Sequence, residues 1–379
     1  GVIPFSGEVQ VCDADLVIPG RGLDFVWART YRSRTGSATS MGQRWNHSYD
    51  VHCAQNSAGG IDVYDGTGRK DTFPLGTNGV YTCPEFFREG TLSKDTFTLT
   101  FADTGRWVFN PFDSSPSAGK LRQIITRNGD TMTLGYDASS GNLTSVVDDL
   151  DRTNTLAYTS DGQVAAVTDF TGRSVTYQYF QGLKGDQGGV GDLKSVTSPP
   201  VTDFPAGKTT TYTYSKGSKL DRENHLLLTV TDPKGQTTTV FTYELSVADP
   251  TNYLHCIAAQ EGLNPAFTYH WSLVQRPAGS SAVVKCIAND PVGNVTEGFF
   301  DARGRIVLHR EFTGRATPGL PATDTVNRPT GKLRRSAVSI SPISTRLHPP
   351  ASVPTAAWYA SLPPVPWIWT VTACRTPPN

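Results

Sequence analysis

The segment DFTGRSVTYQY, residues 169–179, decides the fold, because its pattern returns several times along the chain. Apolar and polar residues alternate at its end, which places Val175, Tyr177 and Tyr179 on one face of a β-strand. An aspartate and a glycine precede this strand, and both residue types are typical of tight turns. The segment therefore predicts a turn followed by a strand with one apolar face.

Near-copies of this pattern recur at first every 21 or 22 residues and then less regularly. Copies begin at Gly119, Gly141, Gly162, Gly191, His225 and Gly293, and shorter relatives begin at Asp65 and Asp103. A lone hairpin is marginally stable in water, whereas adjacent hairpins cover each other's edges and apolar faces. We therefore predict an all-β fold of repeated antiparallel hairpins that form a continuous, strongly twisted antiparallel sheet. Residues 8–315 should be strands and turns almost throughout.

An arginine follows the turn glycine in several copies, for example Arg173 and Arg305. We expect this guanidinium to reach the aspartate of the neighbouring hairpin or to stack on its tyrosine rings.

The composition favours many short strands over long helices. The 379 residues include 36 Gly, 26 Pro and only 2 Met, and the hydrophobic fraction is 37%. All the acids lie at or before Asp324, so the body is mildly acidic and carries no basic stripe, which argues against a nucleic-acid partner. No stretch is apolar enough to predict a membrane span, and nothing at Gly1 resembles a signal peptide. Because the chain does not begin with Met, we expect a fragment or a processed product.

The six cysteines are too sparse for a disulfide scaffold. Cys256 and Cys286 flank one segment and could pair if oxidised. Free buried thiols are the preferred interpretation.

The copies share the order Gly-x-Leu/Val-x-x-Val-x-Asp, then Gly-Arg and x-x-Tyr-x-Tyr. This order resembles the YD repeat of Rhs proteins, which is also found in teneurins and insecticidal toxin complexes. DLVIPGRGLDFVWARTYRSR (15–34) followed by GQRWNHSYD (42–50) is similar to the lead-in region that precedes the repeats in bacterial Rhs proteins. The resemblance covers about residues 7–334. It implies a sheet that spirals into a hollow shell around a C-terminal toxic or effector domain. This chain would form a spiralling, open sheet that is an incomplete part of such a shell.

Three segments follow from this comparison. We predict a lead-in β region at 1–115, a YD-repeat array at 116–315 and a Pro-rich tail at 316–379 that is disordered or frame-shifted. Residues 325–379 contain ten of the prolines and no acid. We expect poor order from about Arg335, and an unpaired last strand near Ile306 to Phe312 that would be prone to association.

HSYDVHC places His47, Asp50, His52 and Cys53 within seven residues, and a metal site is imaginable. On a continuous strand, however, His47 and Cys53 point one way and Asp50 and His52 the other, so the four converge only if the chain bends. We therefore predict no metal-binding and no cofactor-binding residues.

DPKG at Asp232 and DPVG at Asp290 are similar to the Asp-Pro-x-Gly-Leu sequence near which larger Rhs shells cleave themselves. Gln236 and Asn294 stand where that sequence has leucine, and Asp-Pro-x-Gly between strands is an ordinary turn. The chain also lacks G-x-S-x-G, H-E-x-x-H and a phosphate-binding glycine loop. We predict no catalytic residues and no enzyme activity.

Two functions remain. The first is structural: the lead-in region and opening turns of an Rhs shell, secreted or at the cell surface, with the remainder of the shell and its C-terminal cargo domain as partners. The alternative is a cell-surface adhesin that binds glycan or protein through exposed aromatic repeats. A downstream cargo domain would favour the first function, whereas an anchor and exposed rings would favour the second.

Overall fold

The computed structural model describes residues 1–83, 88–274, 281–317, 319–324 and 326–338. These residues form strands and turns, and the one helical element among them is a 3-10 turn at Asp221–Glu223. The predicted all-β fold of repeated antiparallel hairpins is confirmed. Within the described residues, no helix is long and apolar enough to cross a membrane.

The strands before residue 115 are β1 (Val2–Ile3), β2 (Glu8–Ile18), β3 (Phe25–Arg32), β4 (Trp45–His47), β5 (His52–Gln55), β6 (Ile61–Tyr64), β7 (Lys70–Phe73), β8 (Tyr81–Cys83), β9 (Arg88–Ser93), β10 (Thr96–Thr100) and β11 (Arg106–Phe109). The later strands are β12 (Leu121–Ile125), β13 (Thr131–Tyr136), β14 (Leu143–Val147), β15 (Thr153–Tyr158), β16 (Val164–Thr168), β17 (Ser174–Tyr179), β18 (Leu193–Thr197), β19 (Thr209–Tyr214), β20 (Leu227–Thr231), β21 (Thr237–Tyr243), β22 (Cys256–Glu261), β23 (Phe267–Leu273), β24 (Ala282–Asn289), β25 (Val295–Asp301), β26 (Ile306–Arg315) and β27 (Pro329–Val338).

The chain forms two compact units. The first unit contains Gly1–Gln10, Leu227–Thr231 and the described residues from Gly235 onward; the second contains Val11–Leu226 and Asp232–Lys234. The boundaries proposed at 115/116 and 315/316 rest on the sequence resemblance and stay predictions.

In the second unit, β8 to β19 form one antiparallel sheet in which each strand pairs with its chain neighbours. Within this unit the sheet is open, with β8 and β19 as its end strands. Two smaller sheets belong to the lead-in region: β2, β3 and β4 form one, and β5, β6 and β7 form the other. The alternation predicted from the sequence holds, since Val175, Tyr177 and Tyr179 are all buried while the intervening Thr176 and Gln178 are exposed.

Each copy from Gly119 to Tyr179 is closed by the same hydrogen bond. A tyrosine hydroxyl at the end of the second strand donates to the carbonyl oxygen of the leucine or valine that begins the first. The pairs are Tyr136 to Leu121 at 2.6 Å, Tyr158 to Leu143 at 2.8 Å and Tyr179 to Val164 at 2.9 Å. This bond explains why the sequence keeps Gly-x-Leu/Val and Tyr at a fixed separation.

The Asp turns are also built alike. Oδ1 of Asp169 accepts the backbone N–H of Thr171 and of Arg173, and its Oδ2 accepts Nε of Arg173 at 2.7 Å. Asp148 and Asp301 bind the arginine four residues later in the same manner. The arginine thus pairs with the aspartate of its own turn, because a side chain four positions away already lies across the turn. The expectation that this arginine reaches the aspartate of the neighbouring hairpin is therefore wrong.

The first unit contains a second antiparallel sheet, in which β20 to β27 pair in chain order. Trp271, Cys286 and Phe300 form a buried cluster on it. The chain's first residues pack against this cluster: the Phe5 ring lies 5.9 Å from that of Phe300, and Trp271 Nε1 donates to the carbonyl of Pro4 at 2.7 Å.

The prediction that Ile306 to Phe312 forms an unpaired edge is wrong. β26 pairs with β27, with Leu308 opposite Val338 at the far end of the ladder. The intervening loop is fixed by Asn289, whose Oδ1 accepts the N–H of Ala322 at 2.7 Å and whose Nδ2 donates to its carbonyl at 3.1 Å. This clamp returns the chain to β26, and no proline follows Pro329 in β27 to remove a ladder donor. The rest of the predicted tail, residues 339–379, lies outside the described residues.

Cys256 and Cys286 are buried free thiols, which confirms the preferred interpretation. Cys256 lies in β22 and Cys286 in β24, with β23 between them. Two strand spacings are about 9.5 Å, which is too far for a disulfide. Burial raises the pKa of both thiols to about 12, so thiolate is scarce at neutral pH.

Candidate functional site

Rings of the lead-in region cover the apolar face of the repeats in the second unit. Nε1 of Trp27 donates to the Tyr177 hydroxyl at 2.8 Å, and Nε1 of Trp45 donates to the Tyr214 hydroxyl at 2.8 Å. The Trp45 ring also meets Tyr212 edge-on at 5.4 Å between centroids. These five side chains are buried. The tryptophans fit here because each has an apolar body and one N–H that a tyrosine hydroxyl satisfies.

Arg29 lies between the same two layers with its side chain only 3% exposed. Its Nε donates to Oδ2 of Asp15 at 2.8 Å, and Nη2 donates to Oδ2 of Asp13 at 3.2 Å. The guanidinium lies over the rings of Trp45 and Tyr212, at 5.0 and 5.3 Å from their centroids. A buried cation is costly without partners, so these contacts are required to keep Arg29 in place.

Burial dominates the electrostatics of this cluster. It raises the pKa of Asp15, although the Arg29 charge and hydrogen bond act in the opposite direction. Burial also raises the pKa of Tyr177 well above its ordinary value, and the Asp15 charge adds to this effect. Tyr177 is therefore a neutral hydrogen-bond donor to Asp15 at pH 7. We call this cluster the junction, because it joins the lead-in region to the repeats. Its residues are Asp13, Asp15, Trp27, Arg29, Trp45, Tyr177, Tyr212 and Tyr214.

A polar cavity of about 290 Å³ lies beside this junction, within the second unit. Lead-in residues 37–40, 47 and 49–52 form one wall, and the repeats supply Lys120, Tyr136, Asn142, Leu143 and Tyr158. Burial raises the pKa of Tyr136 and of Tyr158, and the negative charge of Asp50 raises them further. Asp50 is thus electrostatically coupled to both rings of the repeat wall.

The chain bends between His47 and His52, because β4 ends at His47 and a turn precedes β5. The bend brings His47, Asp50 and His52 to the cavity, whereas Cys53 is not part of its lining. Nδ1 of His52 lies 3.8 Å from Oδ1 of Asp50. Among the described residues, no group of three or more His, Cys, Asp or Glu side chains is arranged to hold a metal ion.

His47 is the buried member of this set. Its ring stacks on Trp27 at 4.5 Å, and its Nδ1 accepts the backbone N–H of Tyr49 at 3.3 Å. Burial lowers the pKa of His47 to about 4, and Lys120 adds to the effect while Asp50 opposes it. The imidazole is therefore neutral at pH 7, and its proton resides on Nε2.

The two Asp-Pro-x-Gly segments are turns, as predicted. Asp232 lies between β20 and β21, and its Oδ1 accepts the N–H of Lys234 at 2.9 Å. Asp290 lies between β24 and β25, and its carboxylate accepts both the backbone and the side-chain N–H of Asn294 at 2.6 Å. Each carboxylate thus bonds within its own turn.

Sequence reasoning did not identify Arg29, the tryptophans of the junction or Lys120. Their partners lie far away in the chain, for example 150 positions for Trp27 and Tyr177. An arginine flanked by aromatic residues, as in FVWARTYR of β3, is the one available signal, since an alternating strand would bury it with the rings.

Comparison with known proteins gives one family match and several structural likenesses. Residues 1–73 match the family described as Domain of unknown function (DUF6531). No curated protein matches the chain. The chain is similar to the Tc holotoxin pore of Photorhabdus luminescens carrying a TccC3 mutation, with 10% identity, a TM-score of 0.31, and coverage of 83% of this chain and 18% of that one.

The chain is also similar to the TcdB2-TccC3 structure, with 10% identity and a TM-score of 0.28. That match covers 80% of this chain and 18% of the other. The chain therefore spans about a fifth of the length of these toxin chains.

Proposed function

We propose that this chain is a structural part of an Rhs-type shell: its lead-in region and its first YD repeats. Its partners are the remainder of such a shell and a C-terminal cargo domain, and it acts outside the cell or at the cell surface. The observation that carries the proposal is the identical construction of successive copies, each closed by a tyrosine-to-carbonyl hydrogen bond. Repeats built alike extend by simple addition, which is the way a large enclosing sheet is made.

The junction supports the same role. Trp27 and Trp45 donate to Tyr177 and Tyr214, and Asp15, which is held by Arg29, accepts from Tyr177, so the lead-in region is fixed to the repeats by bonds internal to the chain. The polar groups of these side chains therefore stabilise the packing of the lead-in region on the sheet. We accordingly propose that the chain performs no chemistry of its own.

The adhesin alternative requires exposed rings on the repeats. Tyr177, Tyr212 and Tyr214 are at most 4% exposed, because the lead-in region covers them. These three rings are therefore not available to a ligand, whereas Phe170, Phe204 and Phe267 are 44–46% exposed. Because the stacked tyrosine face of the second unit is covered, the structural role is the better supported of the two.

The test starts from the DNA that surrounds this reading frame. We expect further copies of Gly-x-Leu-x-x-Val and Tyr-x-Tyr when the region after the Arg334 codon is translated in the other two forward frames, followed by a cargo domain. Expression of that joined frame should give a cargo domain that co-purifies with the repeats and resists protease until the protein is denatured. Absence of repeats from both frames, or cargo that is cleaved as fast in the native as in the denatured protein, would reject the proposal.

A further inference from the structure

Two copies of the repeat donate a backbone N–H to the lead-in region. Leu121 donates its N–H to the carbonyl of Val51 at 2.9 Å, and Val164 donates its N–H to the carbonyl of Ser40 at 2.8 Å. Both residues begin the first strand of a copy, and the carbonyl of each accepts the tyrosine hydroxyl described above. In the first and third copies, the lead-in backbone therefore satisfies the donor.

Leu143 is the equivalent residue of the second copy. Its carbonyl accepts the Tyr158 hydroxyl, and the N–H and C=O of one strand residue point to the same side, so its N–H lies beside Tyr158. Both residues line the cavity. Among the described residues, no lead-in carbonyl accepts this N–H; Leu193 in the fourth copy shares this feature but lies outside the cavity lining. The cavity lining thus includes a backbone N–H whose counterparts in the first and third copies are bound by lead-in carbonyls, whereas this one is not.

Two opposite charges face the same space without neutralising each other. Lys120 Nζ donates to the carbonyl of Gly141 at 2.7 Å, and the described residues place no carboxylate within ion-pair distance of it. The Asp50 side chain is 29% exposed, and among the described residues the one basic group within 4 Å of its carboxylate is the His52 ring, at 3.8 Å. A half-buried charge gains most from a partner that replaces its lost hydration.

We propose that this cavity binds a small zwitterion, an α-amino acid. The carboxylate accepts the N–H of Leu143 and a proton of the Lys120 ammonium, and the ammonium of the ligand donates to Asp50. The volume of about 290 Å³ is at the low end of ligand sites, which suits a molecule of this size. A neutral sugar would supply hydroxyls but would leave Lys120 and Asp50 without counter-charges.

The binding test uses L-alanine and L-leucine as probes in isothermal titration of the purified chain. N-acetyl-L-alanine amide, which lacks both charges, and N-acetylglucosamine are the matched comparison ligands. We expect saturable binding of at least one amino acid and binding at least about tenfold weaker for both comparison ligands. No saturable binding of either amino acid, or equal binding of a neutral ligand, would overturn the proposal.

Variants locate the site. Lys120→Gln and Asp50→Asn should each weaken binding at least about tenfold, whereas Lys184→Gln and Asp161→Asn, exposed residues outside the cavity lining, should leave it unchanged. All four should keep the circular dichroism spectrum of the parent. Equal affinity in the cavity variants and the parent would place the ligand elsewhere and refute the assignment.

Hydrogen exchange gives a second measurement that needs no substitution. Without a probe, the Leu143 amide should exchange faster than those of Leu121 and Val164, because only the latter two have lead-in acceptors. A saturating amino acid should slow exchange at Leu143 by at least about tenfold. Exchange at Leu143 that is unaffected by a bound amino acid would contradict the proposed carboxylate contact.

Discussion

The Tyr177 hydroxyl donates a 2.7 Å hydrogen bond to Oδ2 of Asp15, 162 positions earlier in the chain. The same hydroxyl accepts from Nε1 of Trp27, and the same carboxylate oxygen accepts from Nε of Arg29. One phenol oxygen therefore connects the repeats to two strands of the lead-in region.

Removal of this hydroxyl should destabilise the second unit. Tyr177→Phe leaves Trp27 without an acceptor and leaves Asp15 with Arg29 but without the phenol donor, both in buried surroundings, so we expect a loss of about 1–3 kcal/mol in the free energy of unfolding. Urea unfolding followed by tryptophan fluorescence measures it. Tyr64→Phe is the matched control, since no hydroxyl hydrogen bond of Tyr64 occurs in the described structure, and it should cost less than about 0.5 kcal/mol. Equal effects of the two variants would show that the junction bond contributes nothing.

The Asp turns should be sensitive to loss of charge. Asp169→Asn weakens the bonds to Thr171 and Arg173, and we expect a cost of about 1–3 kcal/mol at pH 7, against less than about 0.5 kcal/mol for the exposed Asp161→Asn.

This cost should also depend on pH. Burial acts to raise the pKa of Asp169, but the hydrogen bonds from Thr171 and Arg173 outweigh it and lower the pKa below the ordinary 3.8. The stabilisation is therefore present above pH 3.8 and is lost as the pH falls through the lower folded-state value. A difference between parent and Asp169→Asn that stays constant down to pH 2 would contradict this account.

His47 should make the protein less stable in mild acid. The unfolded state takes up the proton near pH 6.5, whereas the folded imidazole resists it until about pH 4, so unfolding is favoured increasingly across that interval. The full effect is about 3 kcal/mol. His47→Gln keeps an acceptor for Tyr49 and removes the titration, so its stability should fall less steeply between pH 6.5 and 4. His52→Gln, at a side chain 40% exposed, should retain most of the slope. Identical slopes for His47→Gln and the parent would exclude His47 as the cause.

Two glycines at the same point of successive copies should respond differently to alanine. Gly141 and Gly162 both have positive φ, at 70° and 79°, so alanine costs about 1 kcal/mol at either position. A Cβ at Gly141 would also lie 2.3 Å from the carbonyl oxygen of Pro116, whereas at Gly162 it meets nothing within 4 Å. We therefore expect Gly141→Ala to lower the free energy of unfolding by about 1–3 kcal/mol more than Gly162→Ala does. Thermal unfolding compares the two, and equal melting temperatures would argue against the Pro116 contact.

The hairpins could be predicted because their causes are local. Alternation in TMTLGY or SVTYQY, together with turn glycines, determines which face is buried, and Met132 and Val175 are indeed buried.

Contacts across long sequence separations could not be predicted in this way. The pairing of Trp45 with Tyr214 joins residues 169 positions apart, and no periodicity in one sequence reports it. The cavity was missed for a local reason: His47 to Cys53 was treated as one strand, whereas the turn after His47 redirects Asp50 and His52. The pairing of β26 was missed because the Pro-rich composition after Ala316 concealed the Asn289 clamp on Ala322.

The distance along the chain between Trp45 and Tyr214 has a consequence for biosynthesis. A ribosome adds about 5–20 residues per second, so about 8–35 s pass between the appearance of the tryptophan and that of its partner. During this time the hairpins close on their own neighbours, but the Trp45 indole is still without its tyrosine partner. Trp45 thus reaches its final packing only after the repeats up to Tyr214 have been made, and its segment needs chaperone protection until then.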